Sequence, residues 1–168
     1  MKKRLSFLLI ISVVLVGYAQ KKNDRTATNN TIDAFLNSWH KAAAEANYTN
    51  YFTKMDSLSV FIGTDATENW NKQQFATFSK PYFDDGKAWS FSTLERNIYT
   101  NAAENFVWFD ELLDTWMGIC RGSGVLEKTK NSWKIKHYVL SVTVPNDQIN
   151  EVVKRKQKKD SVFLSRFK

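Results

Sequence analysis

The stretch that decides the fold runs Cys120-Arg121-Gly122-Ser123-Gly124-Val125-Leu126-Glu127-Lys128-Thr129-Lys130-Asn131-Ser132-Trp133-Lys134-Ile135-Lys136-His137-Tyr138-Val139-Leu140. Apolar and polar residues alternate with a period of two on both sides of Thr129–Ser132, the signature of two half-buried strands joined by a hairpin loop. A four-residue loop pairs Lys128 with Trp133, Leu126 with Ile135, Gly124 with His137 and Gly122 with Val139. It also sets Glu127 opposite Lys134, a favourable cross-strand charge pair. One face is then Cys120, Gly122, Gly124, Leu126, Trp133, Ile135, His137 and Val139. The other is Arg121, Ser123, Val125, Glu127, Lys134, Lys136, Tyr138 and Leu140. The first face is the more apolar and belongs to the concave side of the sheet. This register predicts that His137 points inward, with Gly122 and Gly124 leaving room beside it.

The same period extends upstream. Ala88 to about Tyr99 reads as a long strand, Asn101–Asn105 as a turn and Phe106–Thr115 as a second strand. Ile119–Lys128 and Trp133–Val144 are the third and fourth. Before Ala88 the period is helical. Thr31 is placed to cap a helix carrying Ile32, Phe35, Leu36, Trp39, Ala42, Ala43 and Ala46 on one side. A short helix over Tyr48–Met55 follows, then a short strand, Ser59–Ile62, stopped by Gly63. Another helix opens at Asn71 and breaks at Pro81. After Pro145 a helix starts through Ile149, Val152 and Val153. Helices first and strands later indicate an α+β fold. The expected architecture is a cone-shaped roll, with N-terminal helices packed on the concave face of a strongly curved antiparallel sheet. Gly118, Gly122 and Gly124 suit the bends of such a sheet.

The 168 residues allow one domain, and 43% hydrophobic content with six Trp and twelve Phe excludes wholesale disorder. One Cys excludes a disulfide scaffold, and Cys120 reads as a buried free thiol. The net charge of +7 is concentrated at the ends. Residues 1–25 carry six basic and one acidic residue, and residues 151–168 seven basic and two acidic. That leaves 11 basic and 14 acidic residues on 26–150, a net of −3. A nucleic-acid partner is therefore not expected, because the body has no basic cluster to meet phosphates. Lys2, Lys3 and Arg4, the apolar run Leu5–Val16 and the small residues Gly17 and Ala19 form the grammar of a secretory signal peptide over 1–19. The run is too short for a membrane span. The expected product is exported, to the periplasm or medium of a bacterium, with no integral membrane segment after cleavage before Gln20. A polar leader over 20–30 precedes the domain at 31–147, and a basic helix and tail fill 148–168.

Trp39-His40-Lys41-Ala42-Ala43-Ala44-Glu45-Ala46-Asn47, leading to Val60-Phe61-Ile62-Gly63-Thr64-Asp65-Ala66-Thr67-Glu68-Asn69-Trp70, resembles the SnoaL-like proteins of the nuclear transport factor 2-like superfamily. Trp108-Phe109-Asp110-Glu111, Arg121–Leu126 and Trp133–Tyr138 fit the closing strands of the same family. The resemblance covers about Thr31 to Asp147. It implies the cone, a deep central pocket and frequent homodimers, but no single reaction. In the ketosteroid isomerases of that superfamily a carboxylate base ends the first strand and a phenol stands on the first helix. Ile62 or Gly63 and Trp39 occupy those places here, so that apparatus is not carried over.

His137 is the candidate acid–base residue, since imidazole titrates near neutrality; a His merely packed in the pocket wall is the alternative. Glu111 shares its face if the hairpin turns over Thr115–Gly118, whereas a one-residue bulge would substitute Asp110 and Asp114. Asp65, Glu68 and Trp70 follow the first strand as candidate ligand contacts, with Trp39, Trp108 and Arg121. His40 is expected near the surface, because its neighbour Trp39 takes the inward position. The tryptophans read mostly as core, one or two lining a pocket for a flat ligand. No metal-ligand spacing, phosphate loop or dinucleotide fingerprint appears, so no metal and no cofactor is expected. The favoured reading is an exported small-molecule-binding homodimer with an apolar pocket. The alternatives are an acid–base enzyme (isomerase, dehydratase or hydrolase) using His137 with Glu111 or Asp110, and an interaction domain using the outer sheet face.

Overall fold

The computed structural model describes residues 27–130 and 132–168. The expected signal peptide, its expected cleavage site and residues 20–26 of the expected leader lie outside the described residues. Residues 27–44 are helical (α1), so the helix includes the end of the expected leader. Thr31 is inside it rather than at its cap: its hydroxyl donates to the Ala27 carbonyl at 2.9 Å. Ile32, Leu36, Trp39 and Ala43 form the buried stripe. Ala46, at φ +50°, ends the helical run, and Asn47 caps α2 (Tyr48–Thr53) by accepting from the Asn50 amide.

Strand β1 (Met55–Ile62) folds back onto a three-residue β2 (Asn69–Asn71). Helix α3 (Lys72–Asp84) opens on a reciprocal capping box between Asn71 and Gln74. Pro81 lies within α3 and does not break it; the final turn is kept by Phe83, which is buried in the core. Four long strands follow: β3 (Ser92–Thr100), β4 (Phe106–Thr115), β5 (Gly118–Lys128) and β6 (Trp133–Val142). Residues 88–91, expected to begin β3, are irregular. A short 3-10 turn leads into α4 (Ile149–Leu164), which buries no residue.

The sheet is curved, mixed and unclosed, in the order β2-β1-β6-β5-β4-β3. The four long strands are antiparallel as expected, whereas β1 joins β6 in parallel. The helices α1 to α3 supply the other half of the core against the inner face. β4 alternates without interruption, burying Val107, Phe109, Glu111 and Leu113, because its hairpin turns tightly between Thr115 and Gly118 (φ +80°).

Two bulges break the alternation elsewhere. The register expected for the last hairpin holds from Lys128↔Trp133 to Leu126↔Ile135 and then slips, with Val125 facing His137. The extra residue is Lys136, whose ammonium is held by Asp56 and Glu127 at 3.0 and 3.2 Å. Beyond it the faces exchange, because side chains alternate strictly along a strand. Tyr138 and Leu140 therefore point inward, and His137 lies half-buried on the other face. On β3 the unpaired residue is Leu94, between Thr93↔Leu113 and Glu95↔Leu112. That bulge puts Thr93 and Arg96 on one side, where Arg96 reaches β4.

Candidate functional site

The inner face presents two adjoining regions, both bordered by Phe91. The first is an aromatic pocket at the mouth of the cone, with a volume of about 160 Å³. Its walls are Phe61, Trp70, Phe75, Phe78, Trp89 and Leu140, with Trp116 and Met117 from the β4–β5 turn at the rim. The rings are layered: Phe61 stacks on Phe75 at 3.9 Å between centroids, and Trp70 on Phe78 at 4.6 Å. Such offset contacts add to the area-driven burial. Trp116, expected in the core, keeps 81% of its surface in water.

The second region is a buried polar cluster around Glu111. Both Glu111 oxygens are fully used. Oε1 accepts from His40 Nε2 and from the Tyr138 hydroxyl, each at 2.9 Å. Oε2 accepts from Arg96 Nε at 2.9 Å and Nη2 at 2.7 Å, the bidentate geometry that suits a guanidinium. Arg96 also donates to Asp33, Asn37 and Thr93. Burial alone would push the Glu111 carboxyl up. The hydrogen bonds and positive character of His40 and Arg96 outweigh it and hold the group below the usual carboxylate range. Tyr138 moves the other way: burial, then the Glu111 charge, keep its phenol protonated and donating.

Gly122 makes the cluster possible. A Cβ there would sit 2.3 Å from the Tyr138 hydroxyl and 3.0 Å from Glu111 atoms. The room left by this glycine is taken by Tyr138 rather than by His137.

The other predicted positions separate. Glu111 faces inward. Asp110 is on the outer face, accepting from Asn97 at 3.1 Å. Trp108 and Arg121 are also outside, Trp108 stacked on Tyr99. Trp39 is fully buried, stacked on Tyr51 at 4.8 Å, and lines neither region. Glu68 and Trp70 line the aromatic pocket, Glu68 folding over Gly63, where a Cβ would meet its Oε2 at 2.2 Å. Asp65 does not line the aromatic pocket; it borders a separate groove shared with Glu68 and with Arg155, Lys156 and Lys159 of α4. Hydrogen bonds from Thr67 hold its carboxyl low.

His40 is buried, contrary to expectation, and so is Trp39. Successive helical residues are about 100° apart, and an apolar stripe can be at least that wide, so both fit inside it. Sequence reading also missed Arg96 and Tyr138, which the two bulges bring to the inner face.

The SnoaL-like domain family matches residues 32–145. The chain belongs to the SnoaL-like family. Its fold is shared with an NTF2-like protein of unknown function from Pseudomonas putida KT2440, with a TM-score of 0.61 at 11% identity over 73% of this chain and 92% of that one. A domain of unknown function with a cystatin-like fold from Nostoc punctiforme PCC 73102 gives 0.61 at 14% identity, over 85% and 99%. An NTF2-like protein from Cytophaga hutchinsonii ATCC 33406 gives 0.59 at 13%, over 68% and 98%. At these identities the likeness is one of fold. No curated protein matches the sequence.

Proposed function

We propose that this SnoaL-like protein binds a small flat apolar molecule, of the size of one aromatic ring, at the mouth of the cone. The observation that carries the reading is an aromatic-walled cavity of about 160 Å³ with Trp116 exposed at its rim. A dry cavity of about 150 Å³ holds benzene, whereas drug-sized ligands need roughly 300–1,000 Å³. Size therefore favours a single ring over a steroid or polyketide. Closing Trp116 over the ligand would remove apolar surface from water, at roughly 25 cal/mol per Å². Glu68 and Thr64, also on the wall, supply the polar groups that would orient it.

The test is a thermal-shift and calorimetric series of indole, toluene and benzoate beside a steroid. Indole and toluene raise the melting temperature and the steroid does not. Loss of the response in Trp116→Ala ties it to this pocket, while a flat response to every single-ring compound removes the proposal. The same reading has the protein act after export, with 1–19 removed, and as a homodimer. The signal-peptide grammar supports the first, and the resemblance supports the second. Intact mass of the periplasmic product and light scattering on the purified protein test them.

A further inference from the structure

We propose that His40 is the proton acceptor of a second ligand site, separate from the aromatic pocket and open to a molecule that bears a hydroxyl group. Beyond Phe91 lies a depression of about 430 Å³ lined by Asp33, Asn37, His40, Lys41, Phe91 and Thr93. Its hydrogen-bonding capacity can be counted. Arg96 spends its guanidinium donors on Glu111, Asp33, Asn37 and Thr93. Each Glu111 oxygen already accepts two hydrogen bonds. The Asn37 amide is committed to Asp33 and Arg96. Thr93 Oγ1 accepts from Arg96, which leaves its own O–H free to donate.

His40 differs from all of these. Its side chain is 6% exposed, its Nε2 is engaged with Glu111, and its Nδ1 has no hydrogen-bond partner among the described residues. Glu111 accepts only, so in the neutral ring the proton lies on Nε2 and the lone pair on Nδ1. The ring thus combines a fixed tautomer, set by a carboxylate that Arg96 in turn holds, with a second nitrogen that has no partner among the described residues, and it lines the depression. Lys41, Asp33, Arg96, Glu111 and Tyr138 are the charged or titratable groups around it, contributed by α1, β3, β4 and β6. A hydroxyl in the depression would donate to Nδ1. In a proton transfer its O–H bond breaks and an N–H bond forms. The imidazolium is balanced by Glu111, and the oxyanion by the Lys41 ammonium on the same wall, which would turn to it from its exposed pairing with Glu45 at 3.6 Å. Phe91 and Ala44 give the carbon skeleton an apolar surface.

The chain has two histidines, so His137→Gln leaves one imidazole to observe. In that variant, ring nitrogen-15 NMR reads the tautomer directly, and phenol against toluene reads the site. At a pH where the ring is neutral, the expected result is a proton on Nε2 and an Nδ1 resonance that moves with phenol and not with toluene. Diethyl pyrocarbonate, read as hydroxylamine-reversible N-carbethoxyhistidine so that lysine adducts are not counted, then adds one such group to folded His137→Gln protein, ethyl carbonate leaving, and none to His40→Gln/His137→Gln. Phenol slows that reaction severalfold. Glu111→Gln, by replacing one carboxylate oxygen with an N–H donor and removing the charge that fixes the tautomer, slows it too; if this variant does not fold, the tautomer measured with Glu111 present decides. A ring protonated on Nδ1, no carbethoxylation, or an Nδ1 resonance that phenol leaves in place overturns the proposal. Trp116→Ala separates the two sites: it abolishes indole binding and leaves the phenol response of His40 intact.

Discussion

The two sides of Phe91 are built on opposite principles. The aromatic pocket is held by dispersion and area, with no direction required of any atom, and its rim residue Trp116 is left in water. The Glu111 cluster is held by directional bonds in which nearly every donor and acceptor has a fixed partner. Apolar walls repack around a change at modest cost, whereas a buried charged network is satisfied as a whole or not at all. The pocket is therefore the region suited to adapt to a ligand. The cluster is the region suited to hold one group, the His40 ring, in one orientation.

Four changes break or sharpen that contrast. The largest effect is expected from Glu111→Ala, which takes the acceptor from Arg96 Nε and Nη2, from His40 Nε2 and from the Tyr138 hydroxyl, and leaves the Arg96 side chain, only 2% exposed, with Asp33 as its one remaining counter-charge. Removing one partner of a buried pair costs about 3–5 kcal/mol, read as a fall in the urea midpoint. Gly122→Ala comes next, because the new methyl collides with the Tyr138 hydroxyl. Overpacking of this kind costs about 1–3 kcal/mol; Gly86→Ala, where a Cβ meets nothing but φ is +66°, gives the contrasting case of backbone strain without a clash.

The third is a pH effect. Glu111 ionises more readily when folded than its unfolded value of about 4.3. Its contribution is therefore complete above that value and is lost as pH falls through the lower folded one. Stability measured from pH 6 downward falls more steeply in the wild type than in Glu111→Gln. The smallest effect on stability belongs to Trp116→Ala, within about 0.5 kcal/mol as for an exposed side chain, although it removes ring binding.

The sequence carried the fold and one member of the cluster. Two readings of β4 are open in the sequence, Glu111 or Asp110 with Asp114, and the unbroken alternation of the folded strand selects Glu111, facing inward with Phe109 and Leu113. The glycines at 122 and 124 correctly indicated close approach, with a Cβ at Gly124 falling 2.6 Å from the His137 carbonyl. His137 was misplaced because the Lys136 bulge exchanges the faces of β6, and Arg96 was hidden by the same device at Leu94 on β3. Neither bulge contains a glycine, and each is fixed by partners far away in the chain, such as Asp56 for Lys136. His40 was hidden because a polar residue beside an inward tryptophan looks like the solvent side of a helix. Its burial depends on Glu111, 71 positions later. Trp116 shows the converse, an aromatic that composition assigns to the core and a tight turn places at the rim.

Methyl NMR of the protein titrated with indole tests the central claim most directly. The account predicts saturable shifts confined to Met117 and Leu140, with Ile32 unmoved in the core beneath. Methyl spectra that stay unchanged at saturating indole, or that shift uniformly across the molecule, contradict it.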